Sequence, residues 1–473
     1  MKFINQLPIE NELSGCMNEV VDMNANVTPL YQNLWANLAN VGLSDLTQLT
    51  IAAQKEFRNR GVNFLTKGAN SYFLPVGTQE PVSIDPIPRI LYHHDWEILK
   101  RGIKQRARVF NLFLHDLFAK RQTIVPEEVI RSSAFYKPEY TGWQDPDCIY
   151  VTIYGSDIVL IDRTEFIILE DNLANPAGSV YALAMRDLTK RYFPALLTNY
   201  DVLPLYEFAE ALKTVHLDLC RNVENPLIVY VTRGPGGVDF YESIYLSQKT
   251  DFVLVDPEDL LIEGDGTIYL NTLDGSRKKV DLIYSHLSAY FRLTHELPKA
   301  VQTKKVRAVN LYSTFILSDK GIFPYVPEMI RHYLGQEPII GQPKTFLLSD
   351  IKFRNHVFQN LNRFVIKRRH GWGGRNVLIG REASRKVVSD WLAQVEDNPI
   401  QFIAQEVVDF TRHVRLCEPH QTLQETASDL RVFAIMGRDT YVPTEILTRC
   451  ARDNKGIVNV SSGGAIKDTW IVR

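Results

Sequence analysis

Apolar positions along this chain recur first at helical and later at strand spacing, and the change divides the sequence. Asn24–Ala39 and Ser44–Asn59 read as two helices joined across Gly42, with Ser44 placed as the N-cap of the second. A stretch punctuated by Pro75, Pro81, Pro86 and Pro88 follows. A long amphipathic helix then begins near Asp95, with Leu99, Ile103, Phe110, Leu114, Leu117 and Phe118 on one stripe. Its other face carries Lys100, Arg101, Lys104, Arg106 and Arg108, which reads as a solvated surface. The chain up to about residue 145 is therefore expected to be mainly helical.

From Cys148 the texture turns to strands. Leu227–Thr232, Tyr241–Gln248 and Phe252–Asp256 read as strand, helix, strand, and Val280–Tyr284 adds another strand to a small open α/β layer. Val326–Leu334 reads as a helix, after which strand-rich sequence runs to the C-terminus. The expected fold class is mixed α/β (α+β), without repeats or low-complexity segments.

Composition narrows the class. A chain of 473 residues suggests about three domains, and 45% hydrophobic with 23% charged residues excludes disorder. Lys plus Arg total 53 against 55 for Asp plus Glu, a balance that argues against a nucleic-acid partner but not against a local phosphate site. The five cysteines are scattered and none forms a CxxC, so neither a disulfide framework nor a zinc ribbon is expected. Met1–Gln6 turns polar too soon for a signal peptide, and no apolar run approaches the ~18 residues of a membrane helix. A reduced, cytoplasmic protein without a membrane partner is the expectation, with a homo-oligomer left open.

The segment Ser156–Asn172 carries the densest chemistry. Two apolar strands flank Asp162–Glu165, which predicts a hairpin. If Ile161 pairs with Phe166, across a two-residue loop at Arg163–Thr164, then Asp157 faces Glu170, and Asn172 shares their face. Opposed carboxylates repel, so a cation is expected between them. Two carboxylates and an amide oxygen suit magnesium whose shell nucleotide phosphates complete. Acids paired with nearby arginines, or a solvated hairpin, would satisfy the same sequence.

A second constellation lies far downstream. In Arg363–Gly380 a strand ends at Lys367, a basic glycine-rich loop with Gly371, Gly373 and Gly374 follows, and another strand leaves. Glycines let the backbone approach phosphate and the lysine supplies charge, although a plain turn would look alike. The spacing fits neither a Walker loop nor the dinucleotide fingerprint. Downstream come Gln405-Glu406-Val407, Asp429-Leu430-Arg431, Arg449 and the stretch Asn459–Trp470, and upstream stands Ser318-Asp319-Lys320.

This order resembles the ATP-grasp superfamily, with an early lysine, a lysine before a flap, a Gln-Glu strand and an Asp-x-Arg strand. The metal-binding end of such enzymes is missing after Arg473, yet it matches the hairpin of Asp157, Glu170 and Asn172. The arrangement is similar to the circularly permuted ATP-grasp family. Leu169–Ser179, Pro88-Arg89, Trp96, Gln105-Arg106, Tyr325–Arg331 and Ser461–Trp470 carry the likeness. Around Tyr284–Tyr290 the family's arginines and acids are absent, and Asn310–Ile316 lacks its glycine loop.

The resemblance implies a helical region at 1–145 and a permuted magnesium-binding part at 146–220. A pre-ATP-grasp-like domain at 221–310 and a nucleotide-binding part at 311–473 follow. It implies ATP and magnesium as cofactors. Lys320, Lys367, Gly371, Gly373, Gly374, Gln405, Glu406, Val407, Asp429 and Asn459 would serve the nucleotide, and Asp157, Glu170 and Asn172 the metal. Arg431, Arg449 and Lys467 would be catalytic. The implied activity is ligation of a small-molecule or peptide carboxylate to an amine through an acyl phosphate; phosphotransfer, thiol ligation and a non-catalytic ATP-binding scaffold are the alternatives. The hairpin is expected beside the strand bearing Lys467, with Glu170 within ~15 Å of the flap at Gly373. Elsewhere, His93-His94-Asp95 reads as structural, and His413, Cys417 and His420 lack a fourth zinc ligand. Ser461 and Ser462 sit in no nucleophile elbow.

Overall fold

The computed structural model describes residues 17–473 except 23, 25, 68–77, 143–144, 146–147, 175, 233, 237–239, 286–296, 372–375, 410, 418–420, 452–457 and 459–463. Gly42, at φ 83°, separates the helices Gln32–Val41 and Leu43–Asn59, because only glycine takes that backbone cheaply. Gly42 itself, rather than Ser44, occupies the N-cap position.

Ser83–Tyr92 is a strand where the prolines suggested a break. It is an edge strand, and its ladder with Ala465–Val472 is interrupted between Asp85 and Arg89, the interval holding Pro86 and Pro88. Proline donates no N–H, so an edge with an irregular ladder accommodates it. This sheet continues through Leu447–Cys450, Thr422–Met436, Ile153–Ile161 and Glu165–Asn172, while Arg412–Cys417 and Thr440–Tyr441 also pair with Thr422–Met436. Distant parts of the sequence thus meet in its middle, with Arg431 opposite Asp157. The hairpin lies beside the strand bearing Asp429 and Arg431. Two strands separate it from the strand bearing Lys467, contrary to expectation.

Helix His93–Phe118 packs on the sheet, burying Leu99, Ile103, Phe110, Leu114 and Phe118 as the stripe predicts. Each such side chain contributes about 1.5–3 kcal/mol. A second side of the helix is covered too: a β-carbon at Gly102 would fall 2.4 Å from Ile340, and Gln105 accepts the Ile339 N–H at 2.9 Å. Arg106 is consequently buried rather than solvated, and donates to both oxygens of Asp171 at 2.8 and 2.6 Å.

Two four-stranded sheets lie in sequence between the hairpin strands of the large sheet and its C-terminal strands. Arg307–Val309, Leu282–Ser285, Ile228–Val231 and Val253–Val255 form a parallel layer with helix Phe240–Thr250, as the apolar pattern predicts. Thr345–Leu347, Phe402–Glu406, Phe364–Arg368 and Val377–Ile379 form an antiparallel one. Among the described residues Cys148, Cys220, Cys417 and Cys450 are free thiols. No described helix is long and apolar enough to cross a membrane.

The Arg106–Asp171 pair is sealed from water, so removing one partner strands the other. Asp171→Ala is expected to cost about 3–5 kcal/mol in urea unfolding. A loss below ~1 kcal/mol would mean the pair behaves as a surface bridge.

Candidate functional site

The hairpin's register decides which acids face the same way. From Ile161↔Glu165 to Ile158↔Ile168 the strands pair across a three-residue loop, in which Asp162 and Arg163 take φ of 46° and 72°. The expected pairing of Ile161 with Phe166 does not form. A bulge at Leu169 then shifts the register by one, bringing Asp157 opposite Glu170 and Gly155 opposite Asn172. The opposition of carboxylates stands, but it comes from the bulge. Phe166 and Ile168 belong in the apolar core, and the extra residue re-aims the strand so that Glu170 leaves it.

The charge opposing these acids comes from the chain itself. Arg431 donates to both oxygens of Asp157 at 2.7 and 2.9 Å, and Arg449 reaches Asp157 at 3.0 Å. Arg449 also holds both oxygens of Asp429, at 2.8 and 2.6 Å. Asp429 and Arg431 share a face, as their spacing predicts, but each pairs with another residue. Burial alone would raise the Asp157 carboxyl; the guanidinium charges of Arg431 and Arg449 instead hold it well below the carboxylate range.

Glu170 meets Lys320, whose Nζ donates to Oε1 at 2.9 Å and also to the carbonyl of Gly371. Lys320 therefore connects the hairpin to the base of the glycine-rich loop. Lys367 donates to the Gln405 side-chain oxygen at 2.6 Å. Burial pushes its ammonium down to about 8; Glu170 and Asp157 oppose that fall and Lys320 adds to it. Lys320, Lys367, Glu170 and Gln405 line a narrow cleft with Leu169, Ser318, Asp319, Phe323 and Ile403.

One support for this cleft carried no role in the sequence reading. Arg369 is fully buried and bidentate on Asp319, at 2.8 and 2.7 Å. It also donates to Ser132 Oγ and to the carbonyls of Ile400 and Val129, while its own carbonyl accepts the Lys320 N–H. His370 lies 3.0 Å from the same carboxylate. The signal was present in Asp319-Lys320 and Lys367–His370, but only tertiary pairing joins them.

Other candidates fall differently. Lys467 is paired opposite Thr448, whereas Arg449 is paired with Ile466, so Lys467 occupies the other face of the sheet from Arg449. Its ammonium is enclosed by Asp85 at 2.7 Å and the carbonyls of Ile87 and Val414. The Glu406 N–H donates to Lys344 and that of Val407 to Arg363, so both are already used within the fold. His413 is buried against the Tyr31 hydroxyl. Gly373, Gly374, Asn459, His420, Ser461 and Ser462 lie outside the described residues.

The donor set fits magnesium in part. Glu170 and Asn172 offer oxygen ligands beside two lysines suited to phosphate, and the Asn172 side-chain nitrogen is buried without a hydrogen-bond partner. Asp157 is committed to two arginines and would join a metal only as one of them turned away. No group of three or more His, Cys, Asp or Glu arranged for a metal occurs among the described residues, so a metal here would need Asn172 and phosphate oxygens as well.

Comparison with known proteins places this geometry. The chain is 31% identical over 96% of its length to a Frankia casuarinae protein provisionally named glutamate–cysteine ligase 2-2. It is 28% identical over 97% to an uncharacterised Mycobacterium leprae protein, of which it covers 83%. The chain spans about half (54%) of the Frankia relative. A glutathione synthetase-like effector from Globodera pallida, solved in its apo form, shares the fold with a TM-score of 0.62 at 9% identity, covering 91% of this chain and 98% of that one. The model of circularly permuted ATP-grasp type 2 matches residues 88–451, and the chain belongs to that family.

Proposed function

We propose that this protein is an ATP-dependent ligase that joins a carboxylate to an amine through an acyl phosphate. The observation carrying this reading is the convergence of Lys320, Lys367 and Glu170 on one cleft, with Lys320 also gripping the base of the glycine-rich loop at Gly371. Two ammonium groups beside a carboxylate suit a polyphosphate accompanied by a divalent cation. Family membership supports ATP as the phosphoryl donor. The relatives' ligase name supports the reaction class, although it describes proteins about twice as long.

In this reading Lys320 and Lys367 neutralise phosphate charge. Glu170 and Asn172 would hold magnesium, with Asp157 joining as an arginine disengages. The metal, when bound, supplies further charge compensation to the phosphates. The substrate carboxylate attacks the γ-phosphorus and ADP leaves; the amine then displaces phosphate from the acyl carbon. Arg431 and Arg449 would stabilise charge on the transferring group and on the tetrahedral oxyanion. Lys467 has no part in this scheme, because its donors are spent within the sheet. ADP release across amino acids and short peptides, with masses of the products, tests the proposal. A hydroxamate formed with hydroxylamine supports the acyl phosphate, whereas a stable phosphorylated product would replace the ligase with a kinase.

Lys367 supplies a pH signature. Its ammonium is largely lost above about pH 8, and a bound polyphosphate should restore the proton. Nucleotide affinity is expected to fall as pH rises through 8. Calorimetry at pH 8.5 in buffers of different ionisation enthalpy should show uptake approaching about one proton per nucleotide, absent in Lys367→Met. Equal uptake in both proteins would remove Lys367 from the phosphate site.

Glu170→Gln is expected to lower turnover more than ATP affinity, since its charge bears on the transferring group. Unchanged turnover would refute that role. Arg431→Ala should reduce ligation by about 10²–10³-fold with ATP affinity far less affected. Arg431→Lys should recover only part of it, lacking the planar fork. Steady-state kinetics on folded variants decides, and near-parental turnover in Arg431→Ala would leave this arginine a purely structural partner of Asp157.

A further inference from the structure

Buried arginines in this fold follow a rule with one exception. Arg89 holds Glu19, Arg106 holds Asp171, Arg186 holds Asp468, Arg369 holds Asp319 and Arg449 holds Asp429. Arg412 is also buried, at 7% exposure, yet its Nε and Nη1 have no hydrogen-bond partner, and it makes no ion pair among the described residues. A guanidinium withdrawn from water without a counter-charge is costly, so such a group calls for an anion.

The neighbouring carboxylates are already committed. Glu19, whose N–H donates to the Arg412 carbonyl, is held by Arg89 and Thr411. Glu425 accepts from the Asn18 amide, and Asp429 is bidentate with Arg449.

Register gives the direction. Arg412 lies opposite Ala427 on Thr422–Met436, and the ladders through Arg431 run without a shift. Side chains alternate, so Arg412 shares the face of Asp429, Arg431, Asp157 and Arg449. Its row lies about 7 Å along the strand from Asp429, a distance that an arginine side chain and a short substrate can span. Arg449 keeps a similar sliver of exposure, 8%, whereas Arg89 and Arg369 are sealed at 0%.

We propose that Arg412 is a receptor for a carboxylate carried by the amine-bearing substrate, anchoring it beside the Arg431–Arg449 cluster. The assignment to the amine substrate rests on the ligase reading; the capture of a carboxylate does not. The fork of Arg412 would donate to both carboxylate oxygens, favouring amino acids or peptides with a free C-terminus over their amides.

The test uses the full chain with a panel of L-amino acids and short peptides, each paired with its C-terminal carboxamide. Binding is followed by calorimetry and thermal melts, with and without AMP-PNP and Mg²⁺. At least one acid should bind about 10–100-fold more tightly than its amide, the range expected for hydrogen bonds to a charged group. Arg412→Met should erase that preference, leave AMP-PNP binding intact, and leave the ligand-free melting temperature unchanged or raised, because an unpaired buried charge is removed. Arg412→Lys, which keeps the charge without the fork, should lose most of the preference and guards against a misfolded methionine variant. Equal binding of every acid and amide, or a preference that survives both substitutions, would overturn the proposal. So would a lower ligand-free melting temperature in Arg412→Met, which would show the guanidinium already serving an internal anion. Failure of AMP-PNP to bind the parent would sink the ligase reading alone, since the acid-over-amide comparison without nucleotide still reads Arg412.

Discussion

Asp157 accepts hydrogen bonds from Arg431, a residue 274 positions away in sequence, and that contact organises the centre of the protein. The hairpin sets two carboxylates, Asp157 and Glu170, side by side on a mostly buried face. Left alone they would repel and resist burial. Arg431 and Arg449 answer one and Lys320 answers the other, so the main sheet can close over a cluster of charges that the hairpin by itself could not bury. The pairing of Ile153–Ile161 with Thr422–Met436 and the chemistry of the cleft are therefore one constraint. The strand that pairs with the hairpin also delivers Arg431, and its other neighbour, Leu447–Cys450, delivers Arg449.

Arg369 plays the corresponding part on the other side of the cleft. Its donors reach Asp319, Ser132, Val129 and Ile400, fastening the segment before Lys320 to the strand after Lys367 and to the helix Glu127–Arg131. A β-carbon at Gly321 would lie 2.4 Å from the Arg369 Nε, so glycine there lets the backbone rest against the guanidinium. Lys320 is in effect clamped at both ends, with its N–H on the Arg369 carbonyl and its Nζ on Glu170 and Gly371. Such support removes freedom from the side chains that would face phosphate, which is how positioning contributes to phosphoryl transfer.

These arginines divide by how fully they are satisfied. Arg369 has no donor to spare, and Arg106, bidentate on Asp171 with only its Nη1 unpaired, is enclosed between helix and hairpin; both act as fasteners. Arg431 and Arg449 are bound to carboxylates on the face of the sheet that also carries Glu170. Arg412 stands at the other extreme, with donors and no partner among the described residues. The same side chain thus ranges from a fully satisfied tie to a buried group without a counter-charge, according to what lies opposite.

Local patterns in the sequence were enough to read the helices His93–Phe118 and Val326–Leu334, the small parallel layer and the shared face of Glu170 and Asn172. The order of motifs was enough to place the chain in its family, whose model matches residues 88–451. Partners were not legible. Arg106 looked solvated because the Ile339–Ile340 segment covering that side lies more than two hundred positions away. Lys467 looked catalytic by its place in a motif, but sheet pairing turned it to the opposite face, into the grip of Asp85. The bulge at Leu169 answers a conflict between the core's demand for Ile168 and the site's demand for Glu170, and that conflict arises only once the sheet is packed. Periodicity is a property of neighbouring residues and survives in the sequence; the partner of a charge is set by whatever segment folding brings opposite it, and only the tertiary structure decides that.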